Sequence, residues 1–128
     1  MRKVILVGVI VLLALVIAGC GGGGSEEEAE PAPSQGDAVA GEPLFNSTCS
    51  ACHGPDAKGL PNLGKDLTTS DFLKSQTDDE IHAFILIGRP IDHPENTQGV
   101  DMPPKGGNPA LSDDDIFDII AYLRTIEQ

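Results

Sequence analysis

The feature that most constrains the fold of this chain is the five-residue segment 49–53, which contains two of the chain's three cysteines and a histidine. Cys49 and Cys52 are separated by two residues, and His53 follows directly. On a helix, residues three and four positions apart lie on one face, so these three side chains project together. A fold that contains this segment must therefore offer that face either a shared partner or a bond between the two thiols.

Four chemistries compete for this spacing. A thioredoxin-like redox pair requires a βαβ setting, which the surrounding sequence does not indicate. A zinc site requires four ligands, and the other histidines, His82 and His93, are badly spaced for one. A structural disulfide between Cys49 and Cys52 stays open. The pattern Cys-x-x-Cys-His is also the attachment signature of a c-type haem, in which both thiols bind the vinyl groups of one porphyrin and His53 ligates the iron. We therefore predict one covalent haem c here.

The first twenty residues have the organisation of an export signal. Arg2 and Lys3 precede an apolar run over residues 4–18. As a helix this run covers roughly 22 Å, less than the roughly 30 Å of a bilayer's hydrocarbon core, which is typical of a signal peptide rather than a lasting transmembrane helix. Residues 17–20 resemble the lipobox of bacterial lipoproteins. The resemblance implies cleavage before Cys20 and lipidation of its thiol; the alternative is an uncleaved anchor with Cys20 incidental.

The next segment predicts a flexible tether. Four glycines, an acidic run and two prolines follow Cys20, and such a composition cannot bury apolar surface. We therefore divide the chain into a cleaved signal peptide (1–19), a lipidated tether (20–40) and a folded domain (41–128). The first twenty residues hold 16 of the chain's 51 apolar residues. The domain is left with few apolar side chains for an interior, so a bound cofactor is expected to complete it.

Residues 41–128 resemble a class I cytochrome c, close to the small monohaem cytochromes of bacterial membranes. Beyond the haem motif, the resemblance lies in residues 41–45, which lead into the motif, and in two loop segments, 61–63 and 101–105. It implies that Phe45 packs on the C-terminal helix. It also implies that the Pro61 carbonyl accepts a hydrogen bond from the axial histidine and that Leu63 packs on the haem.

Met102 is the expected sixth ligand of the iron. It is the only methionine left after removal of the signal peptide, and it lies in a loop stiffened by Pro103 and Pro104. Its thioether is a soft ligand that raises the potential relative to a second histidine. The alternatives are a methionine that only fills core space, or ligation by His82, which falls within a helical pattern. His93 is expected to be an exposed loop residue.

Capping signals predict an all-α domain. Thr77 and Ser112 each precede acidic residues at the start of an apolar run, and Gly88 follows the first of these runs. No segment alternates apolar and polar residues over the length of a strand. We expect a small cytochrome c fold with three to five helices around the haem, no significant sheet, and long Gly- and Pro-rich loops at 54–70 and 88–111. The apolar face of the last helix comprises Ile116, Ile119, Ile120, Leu123 and Ile126.

These residues indicate electron transfer rather than enzymatic catalysis. Iron ligated by protein on both sides has no open position for a substrate, whereas it can change oxidation state with little rearrangement. The expected role is a membrane-tethered carrier on the extracytoplasmic side, between respiratory or photosynthetic membrane complexes such as a quinol-oxidising complex and a terminal oxidase. A fixed haem subunit of a larger oxidoreductase, or a haem-based ligand sensor, is the alternative. Arg89 could bind a haem propionate or be a solvated surface residue.

The charge balance excludes one further class of partner. The chain has 20 acidic residues against 8 Lys and Arg, a net charge of -12. A nucleic-acid-binding protein usually has the opposite balance, so no nucleic acid is expected among its partners.

Overall fold

The structure is a computed structural model that describes residues 35–128. The elements in this range are α1 (Ala38–Thr48), α2 (Ser50–His53), α3 (Asp71–Ser75), α4 (Asp78–Ile87), a 3₁₀ helix (Pro104–Gly107) and α5 (Asp113–Ile126). The described range has no strand longer than an isolated bridge, and two such bridges occur, Leu60 with Gly64 and Arg89 with Met102. The expected all-α fold of three to five helices without a significant sheet is confirmed for residues 35–128, which contain five α-helices.

The first helix begins before the expected start of the domain. The Asp37 carboxylate accepts a hydrogen bond from the Val39 N–H at 2.8 Å and caps α1, which starts at Ala38. Residues 38–40 therefore belong to the helical domain rather than to the tether, because Asp37 supplies the start signal. The predicted signal peptide and Cys20 lie outside the described residues. Within residues 35–128, no helix combines the length and apolar character needed to cross a membrane.

Capping boxes start α4 and α5, as the sequence predicts. The Thr77 hydroxyl accepts from the Glu80 N–H at 3.3 Å, and the Glu80 carboxylate accepts from the Thr77 N–H at 2.8 Å. Ser112 and Asp115 exchange the same pair of bonds at 3.1 and 2.8 Å. Gly88, with a φ of 73°, ends α4. These bonds satisfy N–H groups that the first turn of a helix leaves without partners.

Helices α1 and α5 cross in close contact and form the frame of the domain. Phe45 of α1 is fully buried, and its ring centre lies 5.5 Å from that of Tyr122 on α5. The prediction that Phe45 packs on the C-terminal helix is therefore confirmed. A Cβ at Gly41 would overlap with the Asp118 carbonyl oxygen, so only glycine permits this approach. The α5 side chains buried in this part of the core are Ile116, Ile119 and Ile120.

A second set of contacts fixes α5 to the segment between α3 and α4. The Arg124 guanidinium donates to the Asp78 carboxylate at 2.9 Å and to the carbonyl oxygens of Leu73 and Gln76 at 2.9 and 2.7 Å. Because a guanidinium has several donors in a fixed plane, one side chain holds three points of the chain together. This cluster positions α3 and α4, which form one wall of the site described next.

Candidate functional site

The predicted site residues meet in one cavity of about 400 Å³. The junction of α1 and α2 supplies Cys49, α2 supplies Cys52 and His53, and the loop before the 3₁₀ helix supplies Met102. Most of the remaining wall is apolar, and its larger side chains are Phe45, Leu63, Leu67, Phe72, Leu73, Ile81, Phe84, Ile85, Leu111, Ile119 and Leu123. The residues of the haem motif and of the methionine loop, which the sequence analysis assigned to one site, are therefore neighbours in space.

Cys49 lies between α1 and α2 and belongs to the same turn as Cys52. Cys49 ends α1, and its carbonyl oxygen accepts from the N–H groups of Cys52 and His53 at 3.1 and 3.0 Å. The two cysteines form no disulfide, contrary to one of the alternatives considered for this spacing. Burial, and secondarily the charge of Cys52, raises the pKa of the Cys49 thiol to about 11. At neutral pH this thiol is therefore protonated.

The imidazole of His53 is oriented by a single backbone acceptor. Its Nδ1 lies 2.9 Å from the Lys65 carbonyl oxygen. A carbonyl oxygen can only accept, so Nδ1 carries the proton and the lone pair of Nε2 is available to a metal. Burial lowers the pKa of His53, against the opposing effect of the bond to Lys65. Burial is the larger effect, so the lowered pKa favours the neutral imidazole, which is the form that ligates iron.

The expected partner of His53 was Pro61, and this prediction is wrong. Pro61 is exposed and does not line the cavity. The Leu60–Gly64 bridge closes a tight turn that directs Pro61 outward. A Cβ at Gly64 would overlap with the Cys52 carbonyl oxygen, so glycine brings the chain close enough for the Lys65 carbonyl to reach His53.

The apolar residue expected to pack on the haem was Leu63. Leu63 lines the cavity, but it is 38% exposed. Leu67, two residues after Lys65, also lines the cavity and packs against the buried core. The sequence analysis did not identify Lys65 or Leu67, because residues 65–67 lack the proline that drew attention to 61–63. Gly64, directly before Lys65, is the signal that could have identified them.

Met102 is held by backbone contacts from the end of α4. Its N–H donates to the Arg89 carbonyl at 2.9 Å, and its carbonyl accepts from the Arg89 N–H at 2.8 Å. A Cβ at Gly88 would overlap with the Met102 carbonyl oxygen. Beyond the methionine, the Lys105 ammonium donates to the Leu111 carbonyl at 2.6 Å. The loop that presents Met102 is thereby fixed to both α4 and the start of α5.

The two other histidines lie elsewhere. The His82 ring stacks on Phe117, with ring centres 4.5 Å apart and planes 4° from parallel, and its Nε2 lies 3.4 Å from an Asp113 carboxylate oxygen. It does not line the cavity. His93 is exposed, as expected. The alternative in which His82 ligates the iron therefore has no support in the geometry.

The donor set and the shape of the cavity fit a porphyrin. Two thiols, an imidazole with an available nitrogen and a thioether line a space whose wall is mainly apolar. This combination suits a large flat macrocycle with a central metal, attached through its edge. Within residues 35–128, no cluster of three or more His, Cys, Asp or Glu side chains is arranged to hold a metal ion by itself.

Comparisons with known proteins agree with this chemistry. Residues 36–123 match the family described as "Cytochrome C oxidase, cbb3-type, subunit III". Cytochrome c-555 of Chlorobaculum thiosulfatiphilum is 28% identical over 87 residues, which cover 68% of this chain and 93% of that protein. Cytochrome c-554(548) of Halomonas halodenitrificans is 36% identical over 102 residues, which cover 72% and 99%.

A longer relative also matches. Subunit CcoP of the cbb3-type cytochrome c oxidase of Rhodobacter capsulatus is 31% identical over 90 residues, which cover 70% of this chain but 29% of that protein. No solved structure matches the chain significantly.

Proposed function

Because the chain belongs to the cytochrome c family, we propose that it is a membrane-tethered carrier that moves single electrons between membrane redox complexes. The protein is an electron-transfer cytochrome, and its cofactor is one covalently bound haem c. The observation that carries the proposal is the meeting of Cys49, Cys52, His53 and Met102 in one apolar cavity.

In this proposal each of the four side chains has a distinct task. Cys49 and Cys52 form the two thioether bonds, so the cofactor stays with a protein exposed to dilution outside the cell. His53, oriented by the Lys65 carbonyl, and Met102, fixed by Arg89, would hold the iron. The haem supplies a one-electron iron centre. Because side chains of the protein would hold the iron and the apolar wall would exclude water, electron transfer would be favoured over binding of a substrate.

Substitution of Met102 tests the axial ligands. We expect Met102→Ala to lose the near-infrared band of a sulfur–iron bond and to lower the midpoint potential, because a soft thioether stabilises ferrous iron. His82→Ala is the matched control, since His82 lies outside the cavity wall. Retention of the band in Met102→Ala, or its loss in His82→Ala, would contradict the assignment.

The carrier role is tested on membranes that contain the protein. An oxidised-minus-reduced optical spectrum with a redox titration gives the haem potential in place. We expect quinol to reduce this haem, and the haem to be reoxidised once the terminal oxidase is allowed to turn over. A haem that stays oxidised during quinol oxidation, or one that no terminal acceptor reoxidises, would rule the carrier role out.

The tether is proposed from the sequence, since residues 1–34 lie outside the described part of the chain. Its support is the lipobox resemblance around Cys20 and the Gly-, Glu- and Pro-rich composition that follows. A tether of this kind keeps the domain at high local concentration near membrane partners. Mass spectrometry of the mature protein is expected to find a diacylglycerol adduct on Cys20, and Cys20→Ser is expected to release the protein from membranes. An intact Met1 with an unmodified Cys20 would refute the tether.

The charge of the domain indicates the kind of surface it meets. Residues 41–128 carry 15 acidic side chains against 6 Lys and Arg. We therefore propose that partners dock through a basic or largely apolar surface, since opposite charges speed encounter. The second-order transfer rate is expected to fall severalfold as ionic strength rises, because salt screens exposed charges. A rate that does not change with salt contradicts the charge argument.

A second role is favoured by the comparisons with cbb3-type oxidase subunits. The chain matches a segment of a cbb3-type oxidase subunit that covers 29% of that longer protein. A fixed haem subunit of a larger oxidoreductase is therefore the competing proposal. Gentle detergent extraction separates the two roles: a stoichiometric partner that stays bound through purification favours the fixed subunit, and a free monohaem protein favours the carrier.

A further inference from the structure

The Lys65 carbonyl, which orients His53, belongs to the peptide unit that joins Lys65 to Asp66. A peptide unit is planar, so the direction of this carbonyl follows from the positions of the atoms on either side of it. On one side, Gly59 packs against the unit: a Cβ at Gly59 would lie 2.7 Å from the Lys65 carbonyl carbon and 2.8 Å from the Asp66 nitrogen. The N–H of Gly59 also donates to the His53 carbonyl at 2.7 Å. The backbone of His53 and the peptide unit that orients its ring are therefore connected through one glycine.

The Asp66 carboxylate fixes the other side of the same peptide unit. Its Oδ1 accepts from the Thr68 hydroxyl at 2.7 Å and from the N–H groups of Thr68 and Thr69 at 2.8 and 3.3 Å. These three bonds close a turn that begins at the residue whose nitrogen completes the Lys65 peptide unit. The backbone at Asp66 is therefore held by its own side chain.

The turn that Asp66 closes is anchored to the rest of the domain. Thr68 is only 3% exposed, so its hydroxyl needs an acceptor, and Asp66 supplies one. The Thr68 carbonyl accepts from the Gln128 N–H, beyond the end of α5, at 2.8 Å. The Leu67 N–H donates to the Ala57 carbonyl, also at 2.8 Å. A change at Asp66 would therefore alter a fixed part of the cavity wall rather than a free surface loop.

The residue type at position 65 leaves the direction of its carbonyl to these neighbours. A proline ring fixes φ, whereas the backbone of a lysine can rotate about both of its dihedral angles. The Lys65 side chain is exposed, so its packing contributes little to holding the backbone. The direction of the carbonyl therefore depends on Gly59 on one side and on Asp66 on the other.

We propose that Asp66 is a positioning residue that holds the Lys65 carbonyl against the Nδ1–H of His53 and thereby lowers the reduction potential of the iron. The inference rests on the proposed function, in which His53 ligates a haem iron. An imidazole whose N–H donates to a well-placed acceptor is a more basic ligand. A more basic ligand stabilises ferric iron more than ferrous iron. Loosening the turn at Asp66 weakens this hydrogen bond and raises the potential.

The first test compares variants of the full-length, haem-loaded protein by optical redox titration. Asp66→Ala is expected to raise the equilibrium constant for reduction about fivefold, which is about 41 mV for one electron. Asp66→Asn removes the charge but keeps an oxygen that can accept the same bonds. It is expected to raise the constant by no more than about twofold, because salt screens the lost charge. Thr68→Val removes one donor of the turn without any change in charge and is expected to raise the constant about threefold.

Asp56→Ala is the matched control. It removes an acidic side chain from the same loop, where Asp56 accepts from the Lys58 N–H at 3.2 Å, but Asp56 does not line the cavity. The equilibrium constant for reduction is expected to change less than about twofold in this variant.

Proton NMR of the reduced protein adds a readout that a purely structural role would not change. The signal of the His53 Nδ1 proton is expected to move upfield and to exchange faster with solvent in Asp66→Ala and Thr68→Val, but not in Asp56→Ala. If Asp66→Ala does not fold, Thr68→Val and Asp66→Asn decide the question.

Two results would overturn the inference. Equal potentials in Asp66→Ala and Asp66→Asn would assign the whole effect to the lost charge. A His53 Nδ1 proton signal that is the same in Asp66→Ala, or in Thr68→Val, as in Asp56→Ala would show that the turn does not act on the imidazole. Failure of the haem attachment itself is recognised separately, because the unsubstituted protein would then be colourless.

Discussion

The helix pair α1–α5 and the loop side of the cavity are built by different means. Where the helices cross, side chains complete the packing: Phe45, Ile116, Ile119 and Ile120 are at most 1% exposed, and Gly41 leaves no room for a Cβ. On the loop side, Leu63 is 38% exposed and Met102 is half-buried, although both line the cavity. Polar side chains, such as Asn96 with its bonds to Pro90 and Val100, hold these loops in shape.

The difference shows which part of the fold depends on the cofactor. Long loops without regular structure are uncommon in small domains, because they leave backbone groups and apolar surface without partners. Here a porphyrin would give both loops a common surface to pack on. The helix pair determines the frame, and the haem is expected to complete the loop side. The following predictions test this division, in order of expected effect.

Preventing haem attachment is expected to have the largest effect. A Cys49→Ala, Cys52→Ala double variant cannot form the thioethers. Without haem, the apolar wall of a cavity of about 400 Å³ loses the surface it packs on, and the whole stability of a small domain is only about 5–15 kcal/mol. We expect the variant to lose cooperative thermal unfolding, monitored by circular dichroism. A haem-free variant that unfolds cooperatively at the temperature of the haem-loaded protein would contradict the division.

A substitution at the helix crossing should damage the frame even with haem attached. Gly41→Leu places a side chain where the Asp118 carbonyl oxygen lies. We expect the free energy of unfolding to fall by about 3 kcal/mol or more, since overpacking forces the helices apart. The measurement is denaturant unfolding of the haem-loaded variant.

Gly99→Ala is the control for the helix crossing, because within residues 35–128 nothing beyond its chain neighbours lies within 4 Å of a Cβ there. Its φ of 71° still strains a side chain, which costs about 1 kcal/mol. If both glycine variants lost the same free energy of unfolding, the crossing of α1 and α5 would be packed no more tightly than the loop around Gly99.

Loss of the Arg124 contacts should loosen the connection between frame and cavity wall. Arg124→Met leaves the Asp78 carboxylate and the carbonyls of Leu73 and Gln76 without the Arg124 donor. The Leu73 carbonyl keeps the Gln76 N–H as a donor. We expect a loss of about 2 kcal/mol, because the Asp78 carboxylate and the Gln76 carbonyl lose the Arg124 donor in part-buried positions. Hydrogen exchange is expected to increase first in α3 and the start of α4. If hydrogen exchange became faster only in α1, the Arg124 contacts would not be what holds α3 and α4 in place.

Removal of one helix cap is expected to have a smaller effect. Ser112→Ala deletes the hydroxyl that accepts from the first turn of α5, and such a change costs about 1 kcal/mol. Denaturant unfolding measures it, with Ser47→Ala as the control, because that hydroxyl bonds only within α1. A loss as large as that of Gly41→Leu would show that the frame depends on its caps as much as on its packing.

Lowering the pH is expected to have the smallest effect on the free energy of unfolding. The effect is expected to be small near pH 7 and to grow in acid. Hydrogen bonds from the Thr77 backbone and hydroxyl lower the pKa of Glu80 below its ordinary value of 4.5. The folded protein therefore binds fewer protons than the unfolded chain, so this contribution is present above about pH 4.5 and is lost as pH falls through the lower folded pKa. Thermal unfolding of Glu80→Gln should depend less on pH below 4.5 than that of the parent. An unchanged dependence would contradict the capping role.

Local signals in the sequence predict much of the frame. The capping boxes at Thr77 and Ser112 are made by residues three positions apart, so their hydrogen bonds depend little on the rest of the fold. The haem motif is likewise contained in a single turn between Cys49 and His53. By contrast, Pro61 was expected to serve His53 on the strength of its residue type, whereas the turn closed by Leu60 and Gly64 gives that position to Lys65.

The sequence by itself determined the elements whose interactions lie within a few residues: the helix starts, the all-α class and the turn that presents two thiols beside an imidazole. Only the tertiary structure decided which distant residues face the cavity. It placed Met102 there and His82 against Phe117, and it placed the Arg89 guanidinium against the rings of Phe72 and Phe84. The reason is physical: a capping bond closes over three residues, whereas the surroundings of a cavity depend on how helices and loops far apart in the chain pack together.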